Sequence, residues 1–397
     1  MNRHLLLLTL CQGLFLTNNV VFIAINGLVG LSLAPVSWMA TLPVMGYVVG
    51  GALSTALVAR SQARFGRRGS FQIGLAVAFV SALTCLVAAL TRQFWLLCAA
   101  TLVAGYYSAN GQLYRFAAAE LAAPAFREKA VSLVLAGGLI GAVAGPNLAK
   151  YTRDLGAVPF AGAYAALMGV ALLAMACMSL IRFPEPARPA HGGTAPVGRP
   201  LGEIMRQPVF VVAALSAALG YGVMNLLMAA TPLAMQVCGL GFDDAALVLQ
   251  WHVVGMFAPG FFTGHLIKRY GPLPVMGVGV LLNAGCVAVA LSGVDLQQFL
   301  VALFLLGLGW NLLFTGATTL AMRAYRPEEK DRAQAAINFC VFGTMAFTAF
   351  ASGALVTTQG WSLLNLGSLL PVLLTGLGLG WLGWEQRQQR QRNPATA

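Results

Sequence analysis

The sequence predicts an all-α membrane protein with twelve transmembrane helices in two pseudo-symmetric six-helix bundles. Three observations carry that prediction. First, the 397-residue chain is 58% hydrophobic and only 9% charged, whereas soluble domains carry about 25% charged residues. Second, it contains twelve apolar runs of roughly 18 or more residues, the length that crosses ~30 Å of hydrocarbon. Third, a shift of 205 residues lays Gly46-Tyr47-Val48-Val49-Gly50-Gly51 over Trp251-His252-Val253-Val254-Gly255-Met256, and Arg64-Phe65-Gly66 over Arg269-Tyr270-Gly271. A repeat of six-span halves is a common plan among secondary carriers.

The first run, 5–31, has no small-residue cleavage site behind a short apolar core, so it reads as a retained span rather than a signal peptide. Runs 36–59 and 70–91 flank the basic turn Arg60–Arg68. Run 94–121 carries Tyr106, Tyr107, Ser108 and Asn110 among apolar residues. Run 130–150 holds Gly141-x-x-x-Gly145-Pro146, and 158–181 closes the first bundle, 1–182. Residues 183–205 are rich in Pro and Gly and read as a cytoplasmic linker, with His191 as a solvated histidine within it. The second bundle, 206–384, holds runs 207–236, 244–267, 273–293, 298–322, 333–358 and 361–384, and 385–397 is a cytoplasmic tail.

Lys and Arg set the orientation. With the N-terminus inside, 21 of the 24 basic residues face the cytoplasm, and only Arg92, Lys150 and Arg153 lie outside. Both termini are therefore expected in the cytoplasm. The net charge of +12 is mostly this topology signal. Lipid is the expected partner of the basic loops, with no role for nucleic acid. The seven cysteines form no CxxC pair and no disulfide framework.

Met224 and Met228 fall as Met-x-x-x-Met in the seventh run, and His252 and Met256 as His-x-x-x-Met in the eighth. A spacing of four places each pair on one helix face. Thioether and imidazole are soft, uncharged ligands suited to Cu(I). The twelve acidic residues all fall in loops or near span ends, so a hard divalent cation would find no carboxylate at mid-membrane. At the 205-residue shift Asn19 and Ile23 lie over Met224 and Met228, and Tyr47 and Gly51 over His252 and Met256. The soft-ligand set thus belongs to one half only. Read residue by residue, the Met pair also fits apolar packing, and His252 alone fits a hydrogen-bonded core histidine. Cys238, beyond the Met pair, reads either as a metal entry ligand or as a packed thiol. His265 reads as an interfacial hydrogen-bonding residue, with an exit-side metal ligand as the alternative. Arg115 is expected to pair with Glu120 across a helix turn, with a gating role as the alternative. Asn18, Asn19, Tyr47, Tyr107 and Asn110 are assigned to the lining of a central cavity, which suits an organic substrate as well as a water path.

Twelve spans, a 6+6 repeat, a central linker and the turn Ala63-Arg64-Phe65-Gly66-Arg67-Arg68 resemble the major facilitator superfamily. That resemblance makes Arg64, Gly66, Arg67 and Arg68 a conformational motif, with Ala63 standing where the family places Asp. The chain more specifically resembles the CcoA-like copper importers of that superfamily, through Met224, Met228, Cys238, His252 and Met256, with Ser216 where they carry an earlier cysteine. The same group includes riboflavin-type carriers that lack these motifs. The resemblance implies import of copper, as transported substrate, across a bacterial inner membrane by alternating access, with a copper chaperone as partner and cytochrome oxidase assembly as destination. No prosthetic group is expected, and no enzyme: the sequence holds no nucleophile–base set, P-loop or nucleotide motif. The alternative is a carrier of a small organic molecule, riboflavin-like or a drug.

Overall fold

Hydrocarbon offers no partner for a free N–H or C=O, so a chain this apolar must close its backbone hydrogen bonds within each segment. The computed structural model describes residues 3–123, 126–184, 198–326 and 329–392, and the segments it describes are helices joined by turns. In order they are α1 (Arg3–Leu33), a 3-10 turn (Ser37–Met39), α2 (Leu42–Leu90), α3 (Phe94–Gly111), α4 (Tyr114–Leu121), α5 (Arg127–Ala136), α6 (Gly138–Thr152), α7 (Ala161–Ser179), α8 (Leu201–Met205), α9 (Pro208–Val237), α10 (Phe242–Phe257), α11 (Gly260–Tyr270), α12 (Pro272–Ser292), α13 (Leu296–Ala321), α14 (Lys330–Thr358) and α15 (Gly360–Arg392).

Ten helical stretches among the described residues are long and apolar enough to cross a membrane. One of them, Ser37–Leu90, is 54 residues long, about 80 Å at 1.5 Å per residue, far more than one span requires. Its backbone turns at Gly66 (φ 68°, ψ 178°), a conformation essentially confined to glycine, and the stretch holds the expected second and third spans. The fourth expected span is α3 followed by α4. With these two, the helices account for all twelve.

The repeat is visible in the backbone. Gly271, the counterpart of Gly66, has φ 85° and ψ 165°, and each follows an aromatic residue whose ring lies 5.2 Å from the guanidinium of the preceding arginine, Arg64 over Phe65 and Arg269 over Tyr270. Helices α1 and α9, counterparts under the same shift, are the most enclosed: 78% and 72% of their most apolar stretches are buried, against 28–61% for the others. They form the centre. Leu57, Leu281, Leu370 and Leu377 are exposed on outer helices, as a lipid-facing surface requires.

The expected linker lies largely outside the described residues, His191 included. Its far end is not all irregular: α8 forms at Leu201–Met205. There Arg199 donates from its backbone N (2.8 Å), Nε (2.9 Å) and Nη2 (2.8 Å) to the buried Glu329 carboxylate. This ties the segment to the turn between α13 and α14. The described part of the tail is helical, since α15 continues to Arg392.

Candidate functional site

The first and second halves pack closely at one end. There Lys150 Nζ meets Asp243 Oδ2 at 3.1 Å, Asn147 donates to Gln250 at 2.9 Å, and Thr41 accepts from Gly353 N (3.0 Å) while donating to Phe350 O (3.3 Å). Phe160 and Phe242 meet edge-on at 4.9 Å. At the other end the packing stays within each half: α4 and α5 pack on α1, and α11 on α12 and α13. Among the described residues no hydrogen bond, ion pair or ring contact joins the halves at the end that bears Arg67 and Glu329, so in these contacts the molecule is closed where Lys150 and Asp243 meet and parted at the other end.

Three spans are broken at mid-length, by the turns at Gln112–Leu113, Gly137 and Ala258–Pro259. Two of the breaks abut α1, and the residue before the third, Phe257, abuts Gly138 beside one of them. A Cβ on Gly111 would lie 2.2 Å from the Phe15 ring, one on Gly137 2.4 Å from Thr9 O, and one on Gly138 2.5 Å from Leu16 and 3.5 Å from the Phe257 ring. Interrupted helices are the usual setting of a carrier's binding site.

On the second half this level is walled by aromatic rings. Tyr221 of α9 meets Trp310 (5.2 Å, 88°) and Phe314 (5.3 Å, 83°) of α13 edge-on. Trp310 and Phe314 are stacked at 5.3 Å and 9°, and Phe257 of α10 lies 6.4 Å from Trp310. The buried Trp310 Nε1 has no hydrogen-bond partner. From the first half, Arg115 comes within electrostatic range of Tyr221. Sequence reasoning missed this wall, because single aromatic residues in apolar spans look like core. The i, i+4 spacing of Trp310 and Phe314, with Tyr221 one turn before Met224, was the available signal.

His252 is fully buried and lies where α10 crosses α13. The crossing is tight: a Cβ on Gly307 would lie 2.3 Å from His252 O. The ring Nδ1 is 2.7 Å from Leu303 O. A carbonyl only accepts, so Nδ1 carries the proton and Nε2 holds a free lone pair. That Nε2 is buried and without a partner, an exception that calls for an occupant. Met224, Met228 and Met256 are each buried, the pair on α9 and Met256 one turn beyond His252 on α10, which packs against α9. Among the described residues no three His, Cys, Asp or Glu converge. A metal here would rest on thioethers and one imidazole.

The remaining expected site residues fall elsewhere. Cys238 is exposed at the C-terminal cap of α9, ten residues and about 15 Å beyond Met228, apart from the Met pair. Asn110 is fully buried; its Oδ1 accepts from Ser70 (3.1 Å) and its Nδ2 donates to Tyr106 O (3.2 Å). It ties α2 to α3 rather than lining a cavity. Tyr107 packs edge-on against Phe15 at 5.4 Å, likewise between helices. Tyr47 donates to Asn19 Oδ1, linking α2 to α1, and Asn18 is buried beside it on α1. In the basic turn Arg64 and Arg68 are exposed. Arg67 holds Glu120 through Nε (3.0 Å) and Nη2 (2.5 Å). Glu120 is therefore not the partner of Arg115, because two donors of Arg67 already occupy its carboxylate.

A bundle of apolar helices with interrupted spans, closed at one end around an aromatic central wall, defines a multi-pass membrane carrier. The model of the Major Facilitator Superfamily matches residues 5–260 and 213–397, and the chain belongs to that superfamily. It is 37% identical over 366 residues to "Riboflavin transporter RfnT" of Brucella anthropi, covering 91% of each chain. It is 27% identical over 355 residues to "Uncharacterized MFS-type transporter YddS" of Bacillus subtilis, covering 85% of this chain and 81% of the relative. Among solved structures, an auto-inhibited POT family peptide transporter superposes with a TM-score of 0.67 at 12% identity, over 97% of both chains, a likeness of fold alone. Family and relatives are transporters, and the chain is not an enzyme.

Proposed function

We propose that this chain is an alternating-access carrier of a planar heteroaromatic molecule of the riboflavin kind. The observation that carries the reading is the aromatic wall Tyr221–Trp310–Phe314 at the level of the helix breaks, in a chain 37% identical to a riboflavin transporter over 91% of its length. Ring systems gain from stacked and edge-on aromatic contacts, and a few polar atoms in an apolar pocket fix orientation. The unpartnered Trp310 Nε1 donor and His252 Nε2 acceptor supply such atoms. The organic carrier, an alternative at the level of sequence, thus becomes the main reading. The reading puts the protein in a bacterial inner membrane with both termini cytoplasmic, which makes the parted end the cytoplasmic one. Its partners are cargo and lipid, and it requires no prosthetic group. Growth tests it: a riboflavin auxotroph lacking its own importer, expressing this chain, grows on low external riboflavin. No growth with the protein present in the membrane overturns the reading.

Copper import remains a second reading, favoured by one observation. The His252 tautomer, with Nδ1–H given to a carbonyl and Nε2 free, is the arrangement in which a histidine binds metal. It stands one turn from Met256 and beside the Met224–Met228 helix. Copper accumulation abolished by Met228→Leu with riboflavin flux intact would promote it.

A further inference from the structure

We propose that Arg115 is the cargo's polar anchor. Its guanidinium takes the oxygen-bearing edge of a planar ring, carbonyl or carboxylate, while the ring lies on Tyr221, Trp310 and Phe314. This rests on the carrier reading above and names the chemistry that the cargo must present.

Arg115 makes no hydrogen bond and no ion pair among the described residues; the acid nearest along α4, Glu120, is bound to Arg67. Arg115 is half-buried, its guanidinium lies 4.9 Å from the Phe116 ring, and its always-charged fork leaves the buried Nε donor without an acceptor, a group that is normally paired. Its position makes the vacancy useful. It stands on α4, two residues past the break at Gln112–Leu113, within electrostatic range of Tyr221 of the opposite half. A cargo held by both groups therefore bridges the halves, as a carrier that rocks around its substrate requires.

The surroundings select the cargo's charge. None of the described carboxylates belongs to the wall, and the buried Glu329 is engaged by Arg199 and Arg326 N. A cationic ring would meet a guanidinium with no counter-charge. A neutral ring with carbonyl oxygens, or a ring carrying a carboxylate, would supply the acceptor. Arginine suits both, because its planar fork matches paired oxygens.

The test is riboflavin counterflow in proteoliposomes of the full chain, comparing wild type with Arg115→Lys and Arg115→Met, and with benzoate, a simple aromatic carboxylate, as competitor. Loss of a charge-assisted hydrogen bond predicts that KM rises about 10-fold or more in Arg115→Met. The maximal rate stays within about twofold, and Arg115→Lys falls between. Benzoate competition that disappears in Arg115→Met assigns the anchor to carboxylates as well; competition absent in wild type confines it to carbonyl edges. Unchanged KM in Arg115→Met, or a fall in maximal rate alone, overturns the anchor and leaves the carrier reading standing. If wild type moves no riboflavin, the carrier reading falls. The anchor is then judged by quenching of Trp310 fluorescence with benzoate, against a Trp310→Phe control. Quenching lost in Arg115→Met sustains it, and quenching retained or never seen overturns it.

Discussion

Replacing His252 by Asn separates the two tasks of its ring. An Asn amide N–H can take the place of Nδ1–H on Leu303 O, while the acceptor at Nε2 disappears. The variant is expected to keep its thermal stability in detergent and to lose most of its cargo flux. Flux equal to wild type would reduce His252 to a tie between α10 and α13. The sequence marked His252 because imidazole is rare at membrane depth. It gave no sign of the Leu303 carbonyl, 51 residues away, that fixes the tautomer. Asn110 shows the opposite error: a polar residue among aromatics suggested a cavity, but Ser70 had already claimed its carbonyl.

At the scale of elements, two contacts yield tests. The Arg199 side chain, with the Arg326 backbone N–H, holds the Glu329 carboxyl well below the usual carboxylate range. A carboxyl depressed in the folded state contributes stability that is present above its unfolded pKa, about 4.3, and lost as pH falls toward the folded value. Thermal stability of wild type should therefore fall more steeply below about pH 4.3 than that of Glu329→Gln. Parallel acid profiles would contradict the pairing. At the closed end, the half-exposed Lys150–Asp243 pair is worth no more than about 1 kcal/mol, enough to change a two-state ratio about fivefold. Spin labels at the exposed Tyr151 and Leu247 should report a larger separated fraction in Asp243→Lys, restored by adding Lys150→Asp. No change in either would remove the pair from the closure. The spans themselves were legible, because each is an apolar run of the required length. The breaks at 112–113 and 137 were not, because they answer to close approach against α1, which only the packed molecule contains; the break at 258–259 carries its own sequence signal in Pro259.

For the whole molecule, the repeat was legible from Arg-aromatic-Gly in both halves and returned in the backbone as the paired turns at Gly66 and Gly271. The cargo was less legible. Four conspicuous residues, Met224, Met228, His252 and Met256, pointed to metal, whereas Tyr221, Phe257, Trp310 and Phe314 look like ordinary span residues until folding brings their rings together. The direct test is riboflavin flux into proteoliposomes holding wild type or Trp310→Leu, with copper uptake measured in parallel. The account predicts saturable riboflavin flux in wild type, reduced about tenfold or more in Trp310→Leu as stacking is lost. Wild-type riboflavin flux no greater than in empty vesicles, with copper entering instead, would contradict it.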